Sequence, residues 1–272
     1  MSNESQMLTF GGHLEVLRRM LFRIVVVTLV FAITVFCCKD YTFELLLAPS
    51  KYDFCLYQWI ERFFVFVGYD FHFEPFEIQL IATDLSSQFM THISTSLYLG
   101  LLCASPYILF ELFRFISPAL YDNERKYSIP VLFIIYALFI VGVLMSYYIL
   151  FPISFRFLGT YSVAEQVHSN ITLDSYISTF VTLTLVMGII FQFPVIAFLL
   201  AKFDIIDGDL LVKYRQYAFL IIMITAAIIT PPDLMTLVLV TIPLYLLYEV
   251  SIIVTRRVGY SNLLKKTKSA QL

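Results

Sequence analysis

The chain has 272 residues, 60% of them apolar or aromatic and 14% charged, with a mean hydropathy of +0.83. Ordinary globular domains carry roughly 25% charged residues, so there is too little charge here to cover a water-facing surface, and 27 Phe and 18 Tyr beside 9 Gly exclude collagen-like and disordered classes. A net charge of −2 leaves no basic footprint for nucleic acid.

Composition therefore places the chain in the all-α integral membrane class. Apolar runs near 20 residues cross a hydrocarbon core of about 30 Å at about 1.5 Å per residue. They read as helices because lipid offers no partner to an exposed backbone group. In chain order the predicted spans are Met20–Cys38, Phe89–Phe113, Tyr127–Phe151, Ser175–Ala201, Tyr217–Thr230 and Leu234–Val254. The fifth is short: about 14 residues give roughly 21 Å of helix, so Lys213 and Arg215 must snorkel or the bilayer must thin. With the N-terminus inside, fourteen of the eighteen basic residues fall on the cytoplasmic side, and Asp40, Glu44, Asp53, Glu61, Asp70, Glu74, Glu77 and Asp84 fall in the first outer loop. The positive-inside rule then puts both termini in the cytoplasm. Phe36-Cys37-Cys38 is no A-x-A site, so the first span reads as an uncleaved helix. One membrane domain of residues 1–272 results, with a large extracytoplasmic loop at 39–88 and a basic cytoplasmic tail at 255–272.

Ahead of the first span, Glu15 shares a helix face with Arg18 and Arg19, three and four residues on. A surface helix start stabilised by an ion pair accounts for it. In the first outer loop, Tyr52–Val67 mixes aromatics with Asp53 and Glu61. It reads either as an amphipathic helix anchored in the interface by Trp59 and Tyr57 or as a packed cap over the span ends. The four cysteines have no metal-like spacing; Cys37, Cys38, Cys55 and Cys103 read as buried free thiols, with a Cys38–Cys55 disulfide as the alternative in an oxidising compartment.

After the second span comes Phe113-Arg114-Phe115-Ile116-Ser117-Pro118-Ala119-Leu120-Tyr121-Asp122-Asn123-Glu124-Arg125-Lys126. Pro118 is predicted to break the incoming helix, and Asp122 or Asn123 to cap the next one with Glu124 in its first turn. A capped turn explains the composition. Aromatics beside a carboxylate also suit a cationic peptide, because a carboxylate accepts both forks of a guanidinium. In the fourth span Gln192 stands beside Pro194, which frees a carbonyl; an interhelical hydrogen bond is its plain reading. Thr230-Pro231-Pro232-Asp233 is a tight outer turn, and Glu249 approaches the inner interface of the last span as a solvated or ion-paired carboxylate. No nucleotide-binding glycine loop, zinc pair or serine-hydrolase elbow occurs, so no cofactor and no enzymatic chemistry are predicted.

Taken together the residues resemble the TatC family, the multi-spanning component of the twin-arginine protein translocase. The resemblance rests on His13-Leu14 with Leu17-Arg18, Ala48-Pro49, Ala82-Thr83-Asp84, Phe115 through Arg125, Thr230-Pro231-Pro232-Asp233, and Ile242-Pro243-Leu244-Tyr245 with Glu249. It implies a curved helix array with an outer-face cap, in a bacterial cytoplasmic (inner) membrane. It also implies a receptor for the twin-arginine signal peptides of folded cargo, assembled with TatA- and TatB-type single-span partners and with further copies of itself, and driven by the proton-motive force. The implied signal-peptide contacts are Glu15, Arg18, Arg19, Phe115, Pro118, Leu120, Tyr121, Glu124 and Arg125. Gln192 and Glu249 are implied as intramembrane docking groups, and Pro231, Pro232 and Asp233 as a structural turn. Glu124 matches the family's loop carboxylate directly, whereas the family's first carboxylate falls on Val16, one residue after Glu15. Family members often carry Glu where this chain has Gln192, and an amide cannot titrate, which favours docking over proton relay. The family's Ser-Gln after the turn is replaced by Thr236-Leu237. The alternative from a different class is a secondary transporter or channel for a small solute; against it stand the lack of an internal repeat and of a mid-membrane carboxylate.

Overall fold

The computed structural model describes residues 10–69, 79–120, 128–162, 170–231 and 233–269. They are overwhelmingly helical. The elements are α1 (Phe10–Cys37), α2 (Lys39–Leu47), α3 (Cys55–Val67), β1 (Leu80–Ile81), α4 (Ser87–Leu120), α5 (Ser128–Met145), a π-helical turn (Ser146–Leu150), α6 (Phe151–Thr160), β2 (Ile171–Thr172), α7 (Leu173–Ile190), α8 (Phe193–Lys202), α9 (Gly208–Lys213), α10 (Arg215–Ile229) and α11 (Leu234–Ser269). Five stretches are long and apolar enough to cross a bilayer: Leu14–Cys37, Ser87–Phe115, Pro130–Thr160, Leu173–Lys202 and Leu234–Tyr260. Helix α10 has 15 residues, about 22 Å at 1.5 Å per residue, short of a full hydrocarbon core.

Several boundaries differ from those read in the sequence, each for a physical reason. Pro118 does not end α4, which runs on to Leu120; a proline in the last turn costs one hydrogen bond there without stopping the helix. The third span continues through the π-turn to Thr160 instead of stopping at Phe151. The fourth is two helices, because Pro194 at the start of α8 cannot donate, and the chain turns at Phe191–Gln192 with the Gln192 carbonyl taking the amides of Val195 and Ile196. The last helix carries on beyond Val254 to Ser269, through Arg and Lys, which are good helix formers.

Residue contacts divide the chain into two units: residues 1–39 with 92–133, and residues 40–91 with 134–272. In the first, α1 and α4 run antiparallel. Phe36 stacks on His92 with ring centroids 4.2 Å apart. Further along, Gly100 meets the backbone of Ala32, where an added Cβ would lie 2.6 Å from the Ala32 nitrogen. At the arginine-rich end Arg23 pairs with Glu111 at 3.1 Å. Much of α1 remains exposed, including Leu21, Phe22, Val25, Leu29, Val30 and Ile33, as suits a helix whose solvent is lipid.

The second unit has a denser interior. Phe151, Phe155, Tyr176 and Phe180 form edge-on and stacked pairs at about 5–6 Å, all of them buried. Helix α2 ends against this cluster. Its last carbonyls have no intrahelical donors; Tyr147 and Tyr176 supply them, donating to Leu45 at 2.8 Å and Leu46 at 2.7 Å. Tyr57 of α3 donates to the Pro152 carbonyl at 2.8 Å and is buried. It is therefore a packed residue and not an interface anchor, whereas Trp59, Phe63 and Phe66 on the same helix are exposed. Gly68 closes α3 at φ +92°, a left-handed cap that L side chains resist. Strands β1 and β2 pair in parallel, Leu80 with Ile171 and Ile81 with Thr172. Helix α11 packs along α8, α9 and α10. All four cysteines are free thiols, as the leading reading had them, but they are exposed, so the expected burial does not hold.

Candidate functional site

The arginine-rich end of the α1–α4 pair gathers most of the N-terminal residues singled out in the sequence. Glu15 and Arg19 form the expected ion pair one helical turn apart, and both are exposed. Pairs of this kind contribute about 0.3–0.5 kcal/mol, so Glu15 gives up its partner at little cost. Arg18 is exposed on the same turn. One turn further in, Arg23 donates to Glu111, whose side chain is 7% exposed, and the Tyr107 hydroxyl donates to the same carboxylate oxygen at 3.0 Å. A buried carboxylate is tolerated when it is paired and hydrogen-bonded, and Glu111 is both.

These groups surround a cavity of about 340 Å³ lined by Arg19, Arg23, Glu111 and Arg114 together with Val16, Met20 and Phe115. Three guanidiniums against one carboxylate make its wall cationic. The carboxylate inside it is already engaged, and the exposed Glu15, paired with the lining Arg19, is a described carboxylate able to exchange partners. Of the other predicted contacts, Phe115 lies on this cavity, and Pro118 and Leu120 belong to the last turn of α4. Tyr121, Glu124 and Arg125 lie outside the described residues. The sequence reading left Glu111 unassigned and Arg23 as one basic residue among many. The i, i+4 spacing of Tyr107 and Glu111 was the signal available for the inner half of this network.

In the second unit Gln192 is half-buried at the turn between α7 and α8, and its amide donates to the Ile135 carbonyl of α5 at 3.2 Å and to Gly188 at 3.5 Å. It faces protein, as its plain reading held. Phe193, the next residue, lines an apolar groove of about 580 Å³ shared with Ile189, Ile196, Tyr217, Ile221 and Leu244. Glu249 is ion-paired with Arg215 at 2.7 Å. Asp233 caps α11, accepting the Thr236 amide at 2.7 Å. Pro231 precedes it half-buried, and Pro232 lies outside the described residues. The structure thus holds Glu15 on Arg19, which shares a cavity with Phe115, and places Gln192 at the α7–α8 turn, Asp233 at the start of α11 and Glu249 within that helix. Among the described residues no cluster of His, Cys, Asp and Glu could hold a metal ion.

Comparison with known proteins identifies what carries this geometry. The family described as "Sec-independent protein translocase protein (TatC)" matches residues 12–243. The TatC protein of Blattabacterium sp. subsp. Periplaneta americana is 34% identical over 259 residues, covering 94% of this chain and 97% of its own. The TatCy protein of Bacillus subtilis is 35% identical over 183 residues, covering 67% and 72%. Among solved structures, the crystal structure of a twin arginine translocase receptor, TatC, superposes with a TM-score of 0.72 at 32% identity, covering 90% of this chain and 99% of that one. The protein is a helical membrane protein of the TatC family, a component of the Sec-independent protein translocase and not an enzyme.

Proposed function

We propose that this chain is the core receptor subunit of a twin-arginine translocase, binding the signal peptides of folded proteins at the cytoplasmic face. In this reading it spans the bacterial cytoplasmic membrane six times, with α10 as the short span and both termini inside. It nucleates assembly with TatA- and TatB-type single-span partners and with further copies of itself, and transport draws on the proton-motive force. Glu15 and Glu124 receive the arginine pair, Arg18, Arg19, Phe115, Pro118, Leu120, Tyr121 and Arg125 surround them, and Gln192 and Glu249 serve as docking groups along the membrane-spanning helices. Pro231, Pro232 and Asp233 form the turn that joins the last two spans.

One observation carries the reading: α1 and α4 run antiparallel with Arg23 opposite Glu111. Following both helices toward the same end brings Glu15 on one strand of the pair level with the last turn of α4 on the other, and Glu124 follows four residues after that turn. Two carboxylates from distant parts of the sequence thereby serve one short peptide, and each charge-assisted hydrogen bond to a guanidinium contributes about 1.5–3 kcal/mol. The name borne by the solved relative, twin arginine translocase receptor, supports the same reading. Expressed in cells lacking their own copy, Glu124→Ala is expected to stop export of folded twin-arginine cargo while the protein still inserts at parental levels. Export at the parental rate would remove Glu124 from the site.

A further inference from the structure

We infer that Arg23, Glu111 and Tyr107 form a positioning clasp for signal-peptide recognition: they touch no peptide, and they set the spacing between the two segments that do. The inference rests on the receptor reading above and goes beyond it by giving roles to three residues outside the recognition motif.

The register of the hairpin carries the argument. Phe36 on His92, Ala32 on Gly100 and Arg23 on Glu111 are successive contacts of one antiparallel pair. The clasp is the innermost of these, and it is the polar one. Glu15 lies eight residues before Arg23, about 12 Å along α1, and Leu120 lies nine residues after Glu111, about 13.5 Å along α4. Beyond the clasp the space between the helices is the cavity faced by Arg19, Arg114 and Phe115. Like-charged guanidiniums on opposing helices do not draw them together. The Glu111 carboxylate is thus the described charge attraction between the two helices nearest to the recognition ends, and it is directional: buried itself, it accepts from a half-exposed charged donor on α1 and from a hydroxyl on its own helix. Two carboxylates engage adjacent arginines of one peptide only when they are held at a matching separation. Loosening the clasp should therefore reduce discrimination between arginine and lysine, because fork geometry is what lysine lacks.

The test uses the full-length purified protein, with Cys37, Cys38, Cys55 and Cys103 replaced and spin labels attached at Leu14→Cys and Leu120→Cys. The parent should give one narrow distance distribution. Glu111→Gln, which keeps the shape and the Tyr107 contact, should broaden it and reduce the preference for a twin-arginine over a twin-lysine peptide by about fivefold or more. Arg23→Lys, which keeps the charge, should retain most of both. An unchanged distribution and preference in Glu111→Gln would overturn the inference. So would lost peptide binding with the distribution still narrow, because Glu111 would then be a contact residue. If the parent protein binds twin-arginine and twin-lysine peptides equally, the receptor reading fails, while the distance measurement still reports whether the clasp exists. Should Glu111→Gln fail to insert, Arg23→Gln measured by the same two readouts decides the matter.

Discussion

The two units of this chain hold themselves together in opposite ways. The second is locked by volume: an aromatic cluster of Phe151, Phe155, Tyr176 and Phe180 fills its interior, and tyrosine hydroxyls stitch the end of α2 to the π-helical turn and to α7. The α1 span is the least buried at 11% and the α7–α8 and α11 spans the most at 44%, with α4 at 33% and α5–α6 at 22% between them. In the first unit the described contacts of the helix pair include a ring stack, a close glycine approach and an ion pair whose carboxylate is buried. Lipid gives no hydrophobic drive for helices to associate, so a thinly packed pair is held by close backbone approach and by polar contacts. Packing suits a scaffold. A few separable contacts suit a region that must present charge at its end.

That contrast can be broken from either side. The largest expected loss of stability is in the scaffold. Phe151→Ala removes a ring that is 1% exposed and should lower unfolding stability by about 3–5 kcal/mol, read by thermal unfolding in detergent, while the ratio of twin-arginine to twin-lysine binding stays at the parental value in protein that remains folded. A smaller stability loss in the other unit should have the larger functional effect. Gly100→Val forces a side chain onto the Ala32 backbone and should cost about 1–3 kcal/mol, yet lower twin-arginine binding measurably. If the two variants affected peptide preference equally, the division of labour would be wrong.

The smallest expected effect concerns Tyr57. Burial pushes its phenol up to about 12, opposed by the neighbouring Arg156 guanidinium. An acid whose folded value is raised above its ordinary value of 10.0 stabilises the fold fully below about pH 10, and this contribution is lost as pH rises toward about 12. Tyr57→Phe should therefore flatten the fall of unfolding temperature above about pH 10, at the cost of the bond to Pro152 at all pH values. An equally steep fall in the variant would assign the alkaline sensitivity elsewhere.

Much of the fold was legible because hydropathy reads directly as helix in a lipid-solvated chain: five of the six predicted spans correspond to long apolar helices, and α10 occupies the place of the short one. The failures share a cause. Tyr57 and Trp59 look alike in sequence, and only the position of Pro152, 95 residues away, decides which one is packed. Glu111 and Arg23 are 88 residues apart, so the register of a helix pair had to be known before either gained a role. Pro118 gave a helix-stop signal that the last turn of α4 absorbed, whereas Pro194 gave a similar signal and did divide its span. For the proposed recognition site, the family resemblance supplied the candidate carboxylates, and geometry supplied the ion pair that Glu15 makes with Arg19. The solute-transporter alternative has lost its ground with the family assignment.

The central claim is that an arginine pair is read at the end of the α1–α4 hairpin. Its most direct test is binding of a twin-arginine signal peptide to the purified protein in the presence of its single-span partners, with a twin-lysine peptide as control. The account predicts that the arginine form binds selectively and that Glu124→Ala and Glu15→Ala each remove that selectivity. Equal binding of the two peptides to the parent protein, or selectivity that survives both substitutions, would contradict it.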